Sequence, residues 1–153
     1  MAGGTLALVV TLAAAMLIGL AWRATSGWMR PAPDSAATAA RVTASDIGQP
    51  LGEQATLLQF SSAFCAPCRA TRVILADVAR QAPGIAHVEI DAESHLDLVR
   101  ALRVMRTPTV FVLGADGVIV RRASGQPRRA DVIGALAAVL PGRSPSGPGP
   151  DGE

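Results

Sequence analysis

The chain has no lysine and no tyrosine, and aromatic side chains make up only 3% of its 153 residues. Past Trp28 the only rings are Phe60, Phe64 and Phe111. A nucleic-acid surface would need a basic stripe with stacking rings between the charges. The 14 basic side chains, set against 12 acids, are instead scattered arginines such as Arg69, Arg72, Arg100, Arg121, Arg122 and Arg128. They read as solvated faces with some attraction to an anionic membrane surface, and nucleic acid is set aside as a partner. Cysteine is scarcer still, with Cys65 and Cys68 alone. With no second Cys-x-x-Cys, a zinc site would have to recruit His87 and His95, which seven residues separate where three to five are usual. Zinc is the weaker alternative, so no metal is expected. The glycine-rich N-terminus lacks the spacing and strand context of a dinucleotide or flavin fingerprint, so no cofactor is expected either.

Charge is missing altogether from Ala2 to Trp22. As a helix this stretch would measure about 30 Å, enough to span a bilayer. It is apolar on every side, unlike an amphipathic core helix. Trp22 and Trp28 fall where an interfacial belt would lie. A cleaved signal peptide is the alternative, with Ala13-Ala14-Ala15 mimicking a cleavage site. Such a peptide should open with a basic segment and a shorter apolar run. The expectation is a single-pass transmembrane anchor over residues 2–22. No basic residue precedes the run, whereas Arg23 and Arg30 follow it. The positive-inside rule then places the rest of the chain in the cytoplasm, and an extracytoplasmic domain is the alternative. Residues 23–40, with Gly27, Pro31 and Pro33 and no apolar period, read as a linker that lets the domain stand off the membrane. Residues 141–153 read as a disordered Pro/Gly/Ser tail.

Between these ends, residues 41–140 have the size of one domain. A short strand or turn is expected over Arg41–Ile47 and a buried strand over Ala55–Phe60. A helix then runs from the cysteines to about Gln81, where Pro83-Gly84 stops it. Ala86–Asp91 reads as a second central strand and Leu96–Leu102 as a helix. Thr109–Leu113 and Val118–Ala123 flank an Asp-Gly hairpin turn, and an amphipathic helix over Ala130–Leu140 closes the domain. The pattern predicts an α/β fold with a mixed central sheet flanked by helices.

The strand-to-helix junction carries Cys65-Ala66-Pro67-Cys68. It places the first sulfur at a helix N-terminus, where unpaired N–H groups and the macrodipole favour a thiolate. Pro67 suits the first helical turn. Two neighbouring cysteines with one activated are the constellation for thiol–disulfide exchange. Inert buried thiols are the bland reading, which a spaced pair around a proline fits poorly.

Phe64 to Arg69, the strand Val88-Glu89-Ile90-Asp91, the segment Arg106-Thr107-Pro108-Thr109 and Gly125 together resemble the thioredoxin family, over about residues 41–140. With the N-terminal anchor, the chain is similar to membrane-tethered bacterial thioredoxin-like proteins. The resemblance implies a thioredoxin-like fold and a protein-disulfide reductase, with Cys65 the attacking thiolate and Cys68 the resolving thiol. It implies that Pro108 is a cis-proline, and that Phe64, Ala66, Pro67, Thr107, Pro108 and Gly125 contact the substrate. The partners implied are disulfide-bearing proteins and an upstream protein electron donor. Phe64 stands where the family usually has Trp, and Ala66 where it has Gly. Gln59 and His87 stand where it has a buried Asp and a Lys. A non-catalytic binding module, or an extracytoplasmic donor for disulfide or cytochrome maturation, are the alternatives.

Overall fold

The structure, a computed structural model, describes residues 2–25, 27–31 and 40–140. The tail assigned to residues 141–153 lies outside the described residues. Helix α1 runs over Ala2–Thr25, followed by a two-residue strand β1 (Arg30–Pro31) and a single turn α2 (Ala44–Ile47). Then come β2 (Ala55–Ser61), α3 (Ala66–Gln81), β3 (Ile85–Asp91) and α4 (Leu96–Ala101). The chain ends with β4 (Thr109–Gly114), β5 (Ile119–Ser124) and α5 (Arg129–Ala137). The sheet order is β1-β5-β4-β2-β3, with β2 and β3 parallel and the other pairs antiparallel. It is an α/β arrangement with a mixed central sheet flanked by helices, as the pattern predicts.

Strand β2 is buried at every position, because it is paired on both sides and covered on both faces. That is why its sequence, Ala-Thr-Leu-Leu-Gln-Phe-Ser, shows no clean alternation. Its alternate residues feed two cores. Leu58 and Phe60 join Val88, Ile90, Phe111 and Leu113 on one face. Ala55 and Leu57 join Leu75, Val78, Val110, Val112, Val132 and Leu136 on the other, beneath α3 and α5. Phe60 and Phe111 meet edge to face with centroids 5.7 Å apart. The Arg122 guanidinium lies over the Phe111 ring at 5.1 Å and donates to the carbonyls of Leu102 and Arg103, which fixes the approach to β4.

Two stretches refine or depart from the sequence expectation. The short strand or turn expected over Arg41–Ile47 is one bridge, Arg41 to Val118, followed by a helical turn. That turn starts at Thr43, whose N–H and hydroxyl both donate to Asp46. Periodicity cannot register a single capped turn. The second is the expected linker. Gly27 donates its N–H to the Ser124 carbonyl at 2.9 Å, Met29 packs against the α3/α5 core, and β1 pairs with β5. Gly27 is buried with φ +88°, and a Cβ there would stand 2.0 Å from the Gln126 carbonyl oxygen. Only glycine fits this seat.

Among the described residues, no helix is long and apolar enough to cross a membrane. On α1 the described side chains are those of residues 6–21. Leu6, Val9, Leu12, Met16, Leu17 and Leu20 on this helix are all exposed.

The two-sided burial of β2 gives a stability prediction. Leu57→Ala, at a fully buried position, should destabilise the fold by about 2–5 kcal/mol, as large-to-small core changes do. The control Val73→Ala, at an exposed position on α3, should stay within about 0.5 kcal/mol. Denaturant melts of the two variants in detergent check the contrast, and equal losses would contradict the layer assignment.

Candidate active site

Strand β2 ends at Ser61, and four residues later the chain enters α3 with Cys65 at the N-cap position. Its extended backbone lets its carbonyl accept from the N–H groups of Cys68, at 3.1 Å, and Arg69, at 3.4 Å. Its Sγ accepts from the Cys68 N–H at 3.2 Å, the place a Ser or Asp oxygen would take in an ordinary cap. Pro67 lies in the first turn, where its missing N–H leaves no intrahelical bond unmade. Cys65 and Cys68 are joined in a disulfide with S–S 2.00 Å. Cys65 is half-buried, whereas Cys68 is only 2% exposed. Attack from outside can therefore reach the first sulfur and not the second.

The neighbouring elements complete the rim. The Thr107–Pro108 peptide is cis, and Pro108 is buried at the start of β4. The Pro108 carbonyl accepts from the Gly125 N–H at 2.7 Å, so that donor is occupied, and Gly125 has φ +98°. The Thr107 and Ser62 hydroxyls lie 2.8 Å apart, tying the proline loop to the stretch before the cysteines. Thr109 donates its hydroxyl to the Arg106 carbonyl, closing the turn around the cis bond. Phe64 is fully exposed, Ala66 and Pro67 are exposed, and so is Met105, at 87%. Met105 is an apolar side chain at the rim that sequence reasoning passed over, because it lies in no periodic segment.

Beneath Cys68 lies a polar cluster that sequence reasoning only half located. Gln59, fully buried, donates from Nε2 to the Cys68 carbonyl at 2.9 Å and to Ser61 Oγ at 2.8 Å. Ser61 donates in turn to Glu89 Oε1 at 2.5 Å. Arg72, from the second turn of α3, holds both Glu89 oxygens in a two-pronged pair. The parallel β2–β3 register sets Gln59 opposite Glu89 and Leu57 opposite His87. His87 and Glu89, two apart on β3, share one face. The missing signal was the register, which places that face under α3.

Burial pushes the Glu89 carboxyl up, but the hydrogen bonds from Arg72 and Ser61 outweigh it and hold the group below its ordinary 4.5. Burial holds the His87 imidazole below its ordinary 6.5; the Glu89 charge works against that and Arg72 works with it. His95, the other histidine once weighed as a zinc ligand, makes a ring-nitrogen contact of 3.0 Å with the Asp91 carbonyl at the start of α4. Among the described residues, no group of three or more His, Cys, Asp or Glu side chains is arranged to hold a metal ion.

A mixed sheet that delivers a Cys-x-x-Cys pair to a helix N-cap, with a cis-proline loop at the same end, defines a thioredoxin-fold oxidoreductase. The comparisons agree with that geometry. The chain belongs to the thioredoxin family, whose model matches residues 40–138. Among solved structures it is similar to a mutant thioredoxin from Halobacterium salinarum, at 22% identity and TM-score 0.53 over 57% of this chain and 76% of that one. It is also similar to thioredoxin f from spinach chloroplast, at 19% identity and TM-score 0.51 over 57% of this chain and 78% of that one. The oxidised form of mitochondrial thioredoxin 3 from Saccharomyces cerevisiae is a third, at 19% identity and TM-score 0.50, covering 56% and 79%. At such identities these likenesses speak for the fold alone. Nothing among curated proteins matches the chain.

The two shifted groups predict the acid limb of stability. His87 is held below the unfolded value, so the unfolded chain takes up the extra proton and stability falls as pH drops through about 6.5. Glu89 is held below 4.5, so its contribution is present above that pH and is lost as pH falls through the folded value. Melting temperatures from pH 7 to pH 3 should show both limbs. His87→Gln should flatten the upper limb and Glu89→Gln the lower. An unchanged profile in either variant would contradict the corresponding assignment.

Proposed function

We propose that this chain is a membrane-tethered thiol–disulfide oxidoreductase that reduces protein disulfides. The observation that carries the reading is Cys65 Sγ at the N-cap of α3, accepting from the Cys68 N–H at 3.2 Å, with Cys68 buried behind it. The same N–H and the helix N-terminus stabilise negative charge on that sulfur once the disulfide is reduced, which lowers the cost of the thiolate. The thiolate attacks one sulfur of a partner disulfide, forming a mixed disulfide and expelling a partner thiolate that takes a proton. Cys68 then loses its proton and attacks Cys65, closing the internal disulfide and releasing the second partner thiolate. The partner gains two electrons and two protons. A protein dithiol restores the pair by the reverse exchange, since the sequence carries no flavin or dinucleotide motif.

The substrate segment lies extended beside Thr107 and Pro108, in the manner of strand addition, with Phe64, Ala66, Pro67 and Met105 offering apolar contact. Gly125 contributes space rather than a hydrogen bond, because its N–H is taken by Pro108. The tether rests on the uncharged run from Ala2 to Trp22 and on the exposed leucines, valines and methionine around α1. Arg23 and Arg30 after that run favour a cytoplasmic domain, where a reducing thiol pool suits a reductase.

Cys65→Ser should lower insulin-disulfide reduction at least about 100-fold, as loss of a covalent nucleophile does. Cys68→Ser should still attack and should accumulate a mixed disulfide visible on a non-reducing gel. Undiminished turnover in Cys65→Ser would contradict the assignment and leave a binding module. For the topology, a membrane-impermeant maleimide should label the reduced cysteines only after cells are permeabilised. Labelling of intact cells would place the domain outside and make envelope disulfides or cytochrome maturation its task.

A further inference from the structure

The tether and the disulfide lie at the same end of the sheet. Strand β4 is antiparallel to both β2 and β5, so β2 and β5 point the same way. Their C-terminal ends, Ser61 and Ser124, therefore flank the start of β4, where Phe60 is opposite Thr109 and Thr109 opposite Ser124. The cysteines follow the end of β2. Gly27, two residues past the end of α1, is bonded to Ser124 at the end of β5, and Gly125 is bonded to Pro108. From Gly27 the chain enters β1, which runs antiparallel to β5 and so away from this end. From Trp22 to Thr25 is about 4.5 Å of helix, and the two residues to Gly27 add at most about 7.6 Å. Whatever the tilt of α1, Trp22 is held within about 12 Å of Gly27, which is bonded to Ser124, the neighbour of Gly125 on the rim.

The side chains at this end match a headgroup region. Trp28 is 55% exposed and Arg30 is exposed two residues on; Arg106, also exposed, donates to the Ser124 carbonyl at 3.1 Å, and the exposed Arg128 follows four residues after Ser124 at the start of α5. The acids Asp91, the last residue of β3, and Glu93, just after it, sit at the opposite edge of the sheet. A tryptophan with arginines at one edge and carboxylates at the other orients the domain toward an anionic surface by the first edge.

We infer that the tether holds the disulfide end of the domain against the bilayer, so that its partners are proteins anchored in the same membrane with their disulfides near its surface. This rests on the tether proposed above. A loosely linked domain would sample disulfides in solution; this one meets those that share its plane, at the high effective concentration a short connection gives.

The test uses the full chain in vesicles of phosphatidylcholine and phosphatidylglycerol. One variant carries a Gly/Ser spacer of about 20 residues after Thr25, which keeps the Gly27–Ser124 bond while adding about 25 Å of slack. A second, Gly27→Val, removes the seat. Flotation reports the tether. Energy transfer from a dye on Cys65, in a Cys68→Ser background, to labelled headgroups reports placement. Reduction of a disulfide peptide, lipid-anchored or free, reports selection. The spacer should lower energy transfer and slow reduction of the anchored peptide about fivefold, while the rate on the free peptide stays the same. Gly27→Val should lower transfer as well. A chain that fails to float overturns the tether and this placement together. A chain that floats, yet shows the same transfer and the same anchored-peptide rate with and without the spacer, overturns the placement alone.

Discussion

The pairing of β2 on both sides from Ala55 to Phe60, and with β3 through Ser61, is the constraint on which the site depends. A strand locked between β3 and β4 and sealed by two cores cannot slip, since a shift of one residue would exchange its two buried faces. Its last residue is therefore a fixed point. From it the chain delivers Cys65 to the start of α3, while β4, held in the same register, delivers Pro108 alongside. The disulfide and the proline loop meet because two ladders share one strand, and the Ser62–Thr107 contact secures what the register has already arranged.

The same strand carries Gln59 inward, which reshapes the polar chemistry behind Cys68. A fully buried glutamine cannot change charge, and here its Nε2 serves the Cys68 carbonyl and Ser61. The nearest charge is Glu89, which accepts from Gln59 Nε2 at 3.3 Å as well as from Ser61 and is paired at the surface with Arg72. Moving the charge from the middle of the sheet to its edge strand avoids the cost of burying an unpaired carboxylate. It also leaves Cys68 in surroundings that hydrogen-bond its backbone strongly.

Most of the secondary structure was legible because it follows from local signals. The Pro83-Gly84 break bounds α3, the Asp-Gly turn marks the β4–β5 hairpin, and the cysteine pair marks a strand-to-helix turn. What stayed hidden needs contacts distant in sequence. Glu89 enters the polar cluster through the parallel register, and Arg72 reaches it from a helix that looked solvated. Met105 lies in the exposed turn before Pro108, outside any periodic segment. Gly27 and Met29 read as linker, since a single glycine seat and one methionine in a core make no period. The thioredoxin resemblance covered the domain but passed over this seat, for the family match begins at residue 40.

That boundary has a practical side. The segment matched by the family is smaller than the unit that packs. Cutting the chain at residue 40 would strip β5 of its neighbour, leave a row of amide and carbonyl groups open along a new sheet edge, and empty the place Met29 fills in the core. Such a fragment could keep the chemistry at Cys65 intact and still be prone to self-association, because an uncovered edge strand is a template for another copy. The unit that packs therefore begins no later than Gly27, thirteen residues ahead of the family match.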